Sequence, residues 1–363
     1  MNHKAAVLLA NKGHIAINSV EQVKPKAGQI LIKNKAVAIN PFDWIIQEIG
    51  STAFRWLKYP LVLGSDTAGE VIAVGPDVSR FNVGDRVIGH AVGTDQDVNS
   101  SSQSAFQEYT ILRENMSTPI PDSMTFEEGA VLPLAVSTAS TGLFQSDQLA
   151  LTYPTLNSIP NNKVVLIWGG STGVGSNAIQ LAKAAGYTVI TTASPHNFEY
   201  VKSLGADTVF DYKDNDATQK IITYLDGKEL AGTLAIGTGS SEKCLTIVHQ
   251  TNGSKRLAAA STPVSFENGS NLLSFAKLGI LTALLLAKSK LWKIHTKNIY
   301  GSTIKNNEVS KAIYEDFLPK ALADKTYIAV PKAEIVGSGL ESIELAMNTQ
   351  RRGVNTKKLV VTL

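Results

Sequence analysis

Two patterns of apolar residues divide this chain. In its first part, short β-type runs at 5–10, 29–39, 70–74 and 86–88 are separated by clusters of Gly, Pro, Asn and Asp, which predicts a strand-rich region. Residues 42–48, opened by Pro41, read as a short helix within it. From about residue 126 the pattern changes. Strand-like runs at 163–168, 188–192, 208–210, 233–236 and 256–260 alternate with helical stretches, as in a doubly wound parallel sheet.

A helix-like run at 308–323 and an apolar ending at 358–363 complete the pattern. A terminal apolar strand needs a sheet to join, so the chain is expected to return to its first region. The expected division is a discontinuous domain of residues 1–125 and 306–363 around a second domain of 126–305. Residues 92–104, rich in Asp, Asn, Ser and Gln, read as a mobile loop. Residues 272–287 are strongly apolar, but Ser274 and Lys277 interrupt them and leave less than the ~20 residues of a bilayer span. A buried or dimer-facing helix is expected there, with no membrane span.

The most specific chemistry lies at 164–175, Val-Val-Leu-Ile-Trp-Gly-Gly-Ser-Thr-Gly-Val-Gly. A buried strand enters a glycine turn that opens a helix, the geometry that holds a dinucleotide pyrophosphate on free N–H groups. Gly170 is assigned the sharp turn, and Gly173 and Gly175 the close approach of backbone and helix. Ser171, Thr172 and Val174 complete the cradle. The flanks agree: Val174, Ala178, Leu181, Ala182 and Ala185 recur at helical spacing, and Gly186 stands where the helix should end.

Composition narrows the choice. With 363 residues, 44% hydrophobic and 18% charged, the chain suits two ordinary globular domains. A formal net charge of +3 and no run of Lys or Arg give nucleic acid no electrostatic footprint. Cys244 is the only cysteine, which excludes intramolecular disulfides and any cysteine-rich zinc site and fits a reducing, cytoplasmic setting.

Five local patterns stand in one order: Ala38-Ile39-Asn40-Pro41-Phe42-Asp43, Leu63-Gly64-Ser65-Asp66-Thr67-Ala68-Gly69, Val83-Gly84-Asp85-Arg86-Val87, Ala105-Phe106-Gln107-Glu108-Tyr109, and the glycine turn with Gln180 and Lys183. Together they resemble the medium-chain dehydrogenase/reductase superfamily over essentially the whole chain. Residues 192–198 and 209–212 are most similar to fungal enoyl reductases of polyketide pathways and to quinone oxidoreductases. The resemblance implies an α/β fold, a GroES-like β-rich catalytic domain with a doubly wound Rossmann cofactor domain. Zinc-dependent members carry a cysteine near position 40 and Gly-His-Glu near 64–66. This chain has Asn40 and Gly64-Ser65-Asp66, too few ligands for a tetrahedral site, so no metal is expected.

Where an NAD-preferring site places an acid, this chain has Thr191, Thr192, Ala193 and Ser194, which points to NADPH. By resemblance Ser194, Asn197 and Tyr212 contact the 2′-phosphate, with His196, Lys202 or Lys358 as the basic group. Ser194-Pro195 is equally a helix cap pair. A side chain at Thr172, where many relatives have Gly, is expected to hold the pyrophosphate farther off.

The resemblance places Thr138 as the catalytic hydroxyl near the nicotinamide ribose, with Tyr300 in the turn that meets the nicotinamide amide. A helix Thr bonding back one turn is the alternative for Thr138. Asn40, Phe42 and Ile45 are the substrate-side residues, and Trp44 and Trp56 are candidate walls of an apolar cleft. Many fungal relatives carry Lys or Tyr where Ile45 stands. Its donor is missing, so solvent protonation and already activated acceptors are expected. Asp43 and Asp66 are expected to pair with Arg86 as structural carboxylates, and His90 to be structural. The expected activity is NADPH-dependent reduction of enones, enals or quinones by a monomer or homodimer. An aldehyde reductase and an NADPH-binding protein with little turnover are the alternatives.

Overall fold

Five consecutive apolar residues, Val164–Trp168, suit only a strand covered on both faces. In the computed structural model, which describes residues 2–260 and 272–363, this strand lies inside a six-stranded sheet. The strand order is Thr208–Asp211, Thr188–Ala193, Val164–Trp168, Leu230–Ile236, Arg256–Ala260, His295–Asn298, and every neighbouring pair is parallel. The order reverses beside Val164–Trp168, and open α/β sheets bind ligands outside the strand ends at such a switch point. Helix Gly173–Ala184 buries Ala178, Ile179, Leu181 and Ala182, and Gly186 follows its end with φ +83°.

This sheet belongs to a unit spanning Ala135–Ile304; the other unit joins Met1–Leu134 to Lys305–Leu363. The first junction falls after Leu134, later than the expected 125, because the Leu134 N–H is anchored on Asp66 Oδ1 at 2.6 Å.

Of the two expectations for helix Leu272–Leu291, a buried helix is not what the structure has. Leu285 packs against the unit's core and Ser289 is buried, but Leu273 (77%), Ile280 (62%) and Leu284 (59%) are exposed. Its apolar residues encircle the helix, and only one stripe is docked. No described helix is long and apolar enough to cross a membrane.

In the other unit, Gln29–Ala38 pairs antiparallel with Asp66–Val74, Tyr109–Arg113 and the C-terminal Lys357–Thr362, which also pairs with Lys332–Ser338. The register sets Ala38 opposite both Asp66 and Val360, and Asp66 opposite His90. Asn40, Asp66, His90 and Lys358 therefore gather at one end of the sheet, where helix Pro41–Ala53 begins. The loop expected to be mobile is held at several points. Asp95 accepts from Lys305 Nζ at 2.8 Å, Asn99 Nδ2 donates to the Trp56 carbonyl at 2.9 Å, and Ser101 Oγ accepts from the Val62 N–H at 3.1 Å.

Candidate functional site

At the end of its strand Trp168 hands over to Gly169, whose φ of +91° makes the sharp reversal expected of Gly170. Gly170 is required for packing instead. A Cβ there would lie 2.1 Å from Thr191 Oγ1, and one on Gly175 would lie 2.2 Å from the Gly169 carbonyl oxygen. Thr172 has a structural role in this turn. Its hydroxyl accepts from the Gly175 N–H at 3.0 Å and donates to the Gly169 carbonyl at 2.8 Å, so the side chain folds into the loop as the helix N-cap. The amides of Gly173 and Val174, in the first turn after half-buried Ser171, have no intrahelical acceptor. Two such donors at a positive helix end, on the switch point, suit a diphosphate.

The neighbouring strand ends carry the next group. Ala193 is paired with Asp211, so Ser194 and Tyr212 leave the sheet side by side. Ser194 is buried, and its Oγ lies 3.4 Å from Tyr212 Oη. Pro195 does open a short helical turn, yet the Ser194 hydroxyl makes no capping bond and faces Tyr212. Asn197, also buried, donates its N–H to the Ser194 carbonyl at 2.8 Å. Tyr212 stands 39% exposed at the strand end. From helix Ser240–Gln250, Lys243 reaches across, its Nζ 3.4 Å from the Tyr212 carbonyl and 5.3 Å from the Trp168 ring centroid. Lys243 had no place in the sequence reading. Of the expected basic groups, exposed His196 lies in the turn after Ser194, whereas Lys202 is paired with Glu199 at 2.9 Å.

Thr138 lies in helix Pro133–Phe144 against the turn that follows Tyr300. A Cβ on Gly301 would meet Thr138 Oγ1 at 2.5 Å. The back-bond considered for Thr138 is made by Thr141, whose hydroxyl donates to the Ser137 carbonyl at 2.9 Å. Among the described residues, Thr138 Oγ1 has no hydrogen-bond partner. Tyr300 is 45% exposed, and its carbonyl accepts from Thr303.

The other unit holds a buried polar cluster. Lys358 is 8% exposed; its ammonium lies 2.9 Å from Asp66 Oδ2 and donates to Asn40 Oδ1. Asn40 Nδ2 donates to Asp66 Oδ2 at 2.8 Å. Lys358 is thereby corrected from a cation facing a phosphate to one neutralising Asp66 in a buried polar cluster. Asp43 accepts from the Asn40 N–H at 2.7 Å. Burial pushes the Asp43 carboxyl up to about 7 and Asp66 adds to the rise, against the lowering by the Asn40 N–H and Lys358. His90 is buried, with no partner for Nδ1 among the described residues, and burial holds its pKa below the usual imidazole value.

Neither Asp43 nor Asp66 meets Arg86 as expected. That guanidinium donates to the Pro121 and Met124 carbonyls at 3.0 and 2.7 Å and lies over the Phe126 ring. Phe42 and Ile45, three apart on one helix, are both half-buried. Phe42 packs edge-on against Phe54 at 5.7 Å, and Phe54 against Trp56 at 5.5 Å, forming a short aromatic row. Trp44 is not part of it. It is buried, donates Nε1 to Gln350 and packs under Arg351. Cys244 is buried, and burial pushes its thiol up, which disfavours a reactive thiolate.

Comparison with known proteins adds to this geometry. Residues 26–122 match the alcohol dehydrogenase GroES-like domain, and residues 173–247 match the zinc-binding dehydrogenase family. The chain is 49% identical over 343 residues to the dehydrogenase pigH of Monascus ruber, covering 93% of each chain. It is 34% identical over 370 residues to the trans-enoyl reductase tndF of Aspergillus flavipes, covering 99% of each. Among solved structures, the CurK enoyl reductase shares the fold with a TM-score of 0.73 at 20% identity, over 99% of each chain.

Proposed function

Because the chain belongs to the medium-chain dehydrogenase/reductase superfamily, we propose that it is an NADPH-dependent reductase that works without a metal, delivering hydride to activated conjugated double bonds, as in enones and enals, or to quinones. The observation that carries the metal-free part is the Lys358 ammonium seated on Asp66 and Asn40. These are the positions at which zinc-dependent relatives hold ligands, and a cation already pairs with the only carboxylate among them. Among the described residues no group of three or more His, Cys, Asp or Glu side chains could hold a metal ion. Zinc does not fit this set.

A nicotinamide dinucleotide does fit the other unit, and when bound it supplies the hydride. Gly173 and Val174 would hold its diphosphate, and Ser194, Asn197 and Tyr212 its 2′-phosphate. Thr138 Oγ1, lacking a partner of its own, would donate to the oxyanion that develops as hydride arrives. Tyr300 and its turn would orient the nicotinamide amide. On the acceptor side we assign Phe42 and Ile45, while Asn40, buried and bonded to Asp66 and Lys358, anchors the start of their helix. Ile45 brings no proton, so water would protonate the enolate, which favours acceptors that are already activated. The trans-enoyl reductase name of a 34% identical relative supports double bonds as the acceptor class.

The test is product analysis with an enal and NADPH, with and without chelator. A saturated aldehyde and indifference to chelator are expected. An allylic alcohol would make the protein a carbonyl reductase, and loss of activity with chelator would restore a metal. Tight binding without NADPH consumption across enones, enals and quinones would leave a cofactor-binding protein.

A further inference from the structure

We propose that Lys243 and Lys213, both close to Tyr212, supply the positive charge that selects a nucleotide carrying a phosphate monoester at the ribose 2′ position. The inference rests on the NADPH reading above and deepens it. A monoester carries close to two negative charges, and neutral donors alone match it poorly. Ser194 and Tyr212, 3.4 Å apart through their hydroxyls, offer neutral donors only.

The cation must therefore come from elsewhere, and pairing decides which lysines qualify. Lys202 is held by Glu199 at 2.9 Å, Lys183 by Asp207 at 3.0 Å, Lys220 by Asp214 and Lys358 by Asp66. Lys213 and Lys243 differ. Among the described residues neither has a carboxylate within 4.0 Å, and both are exposed. Lys213 Nζ lies 5.9 Å from the centre of the Tyr212 ring, and Lys243 Nζ reaches the Tyr212 carbonyl at 3.4 Å. The acids beside them in sequence are engaged elsewhere: Asp214 pairs with Lys220, Glu242 with Lys288 at 2.7 Å, and Asp211 Oδ1 accepts from the Lys213 N–H at 3.0 Å. Two ammonium groups without a carboxylate partner thus lie near one tyrosine beside a buried serine and asparagine. The geometry supplies charge from a helix far along the chain, where a fingerprint centred on residues 194–202 does not look.

The experiment is calorimetric titration of the intact protein with NADPH, NADH and adenosine 2′-monophosphate, for wild type, Lys243→Gln, Lys213→Gln and the double variant. Each lost charged partner should weaken NADPH by about tenfold, and both together by about 30- to 100-fold, with NADH changed by less than about threefold. Adenosine 2′-monophosphate should weaken in parallel with NADPH. Lys243→Arg should keep most of the preference, and Lys220→Gln, at a paired lysine nearby, should leave both dinucleotides unaffected. Equal weakening of NADPH and NADH, or an undiminished NADPH preference in the double variant, overturns the assignment while the proposed function stands. A wild type that binds neither dinucleotide overturns both.

Discussion

The two units handle charge in opposite ways. At the end of the Gln29–Ala38 sheet, Asn40, Asp43, Asp66 and Lys358 are buried and tied to one another or to backbone, with His90 buried beside them. At the strand ends of the parallel sheet, Tyr212, Lys213 and Lys243 are exposed, and the first-turn amides of Gly173 and Val174 lack intrahelical acceptors. A closed set of charges resists change and fixes geometry. An open set suits the proposed site, because lysines without a carboxylate partner meet an anion without first breaking an ion pair.

The largest effect that would test this contrast is at Lys358. Lys358→Met leaves the Asp66 carboxylate buried without its cation, and loss of one partner of a buried pair costs about 3–5 kcal/mol. For a chain of this length the melting temperature should fall by about 4–7 °C. Adding Asp66→Asn should recover most of the loss, while the dinucleotide affinity of the other unit changes by less than about threefold. If NADPH binding were lost and stability kept, Lys358 would be a ligand group and the contrast would fail.

Asp43 gives the closed cluster a pH signature. Its carboxyl is raised from 3.8 to about 7, chiefly by burial, so the native state holds a proton that the unfolded state has released. Stability from this group is full below about pH 4 and is lost as pH rises toward 7, on the order of 2–4 kcal/mol in all. His90 acts on the other side. Burial lowers its pKa below 6.5, so its neutral form costs stability as pH falls below that value. In thermal melts from pH 5 to 8, the advantage of Asp43→Asn over wild type should grow with pH. An advantage that stays flat across that range would remove the charge-burial account of Asp43.

How much of this was legible in the sequence follows the same division. The glycine turn and the strand that enters it were readable because Val164–Trp168 is uniformly apolar and fully buried. The edge strand His295–Asn298 was not, since its residues are polar and mostly exposed. Thr138, Ser194 and Tyr212 were named by motif, and local register sets Ser194 beside Tyr212. The pairing of Lys358 with Asp66 was out of reach. It depends on a C-terminal strand returning to Ala38, and no local pattern distinguishes a lysine that will be buried from one that will face solvent. Lys243 was missed for a like reason, as its helix reaches Tyr212 only through tertiary packing.

A third prediction tests the open site through its backbone. Gly175→Ala would bring a methyl group to 2.2 Å from the Gly169 carbonyl, which is main chain and has no rotamer to change. Overpacking of this kind costs about 1–3 kcal/mol, and the turn must open to accept it. NADPH and NADH affinities should fall together, by more than about tenfold, because the displaced amides serve the diphosphate common to both. A variant that melts lower but keeps its affinity would separate the glycine turn from ligand binding.

The smallest effect is at Thr172, and it separates capping from ligand binding most finely. Its hydroxyl satisfies the Gly175 N–H, so Thr172→Ala should cost about 1 kcal/mol of stability as the N-cap is lost. The same change frees that N–H at the positive end of the helix, one residue beyond Val174. If the cradle is limited by donors, dinucleotide affinity should hold or rise by up to about threefold even as the protein melts lower. Thr172→Ser, which keeps the cap, should restore the melting temperature and the original affinity together. A loss of affinity in the alanine variant beyond what the serine variant restores would mean that the Thr172 side chain itself meets the phosphate, contrary to its position in the turn.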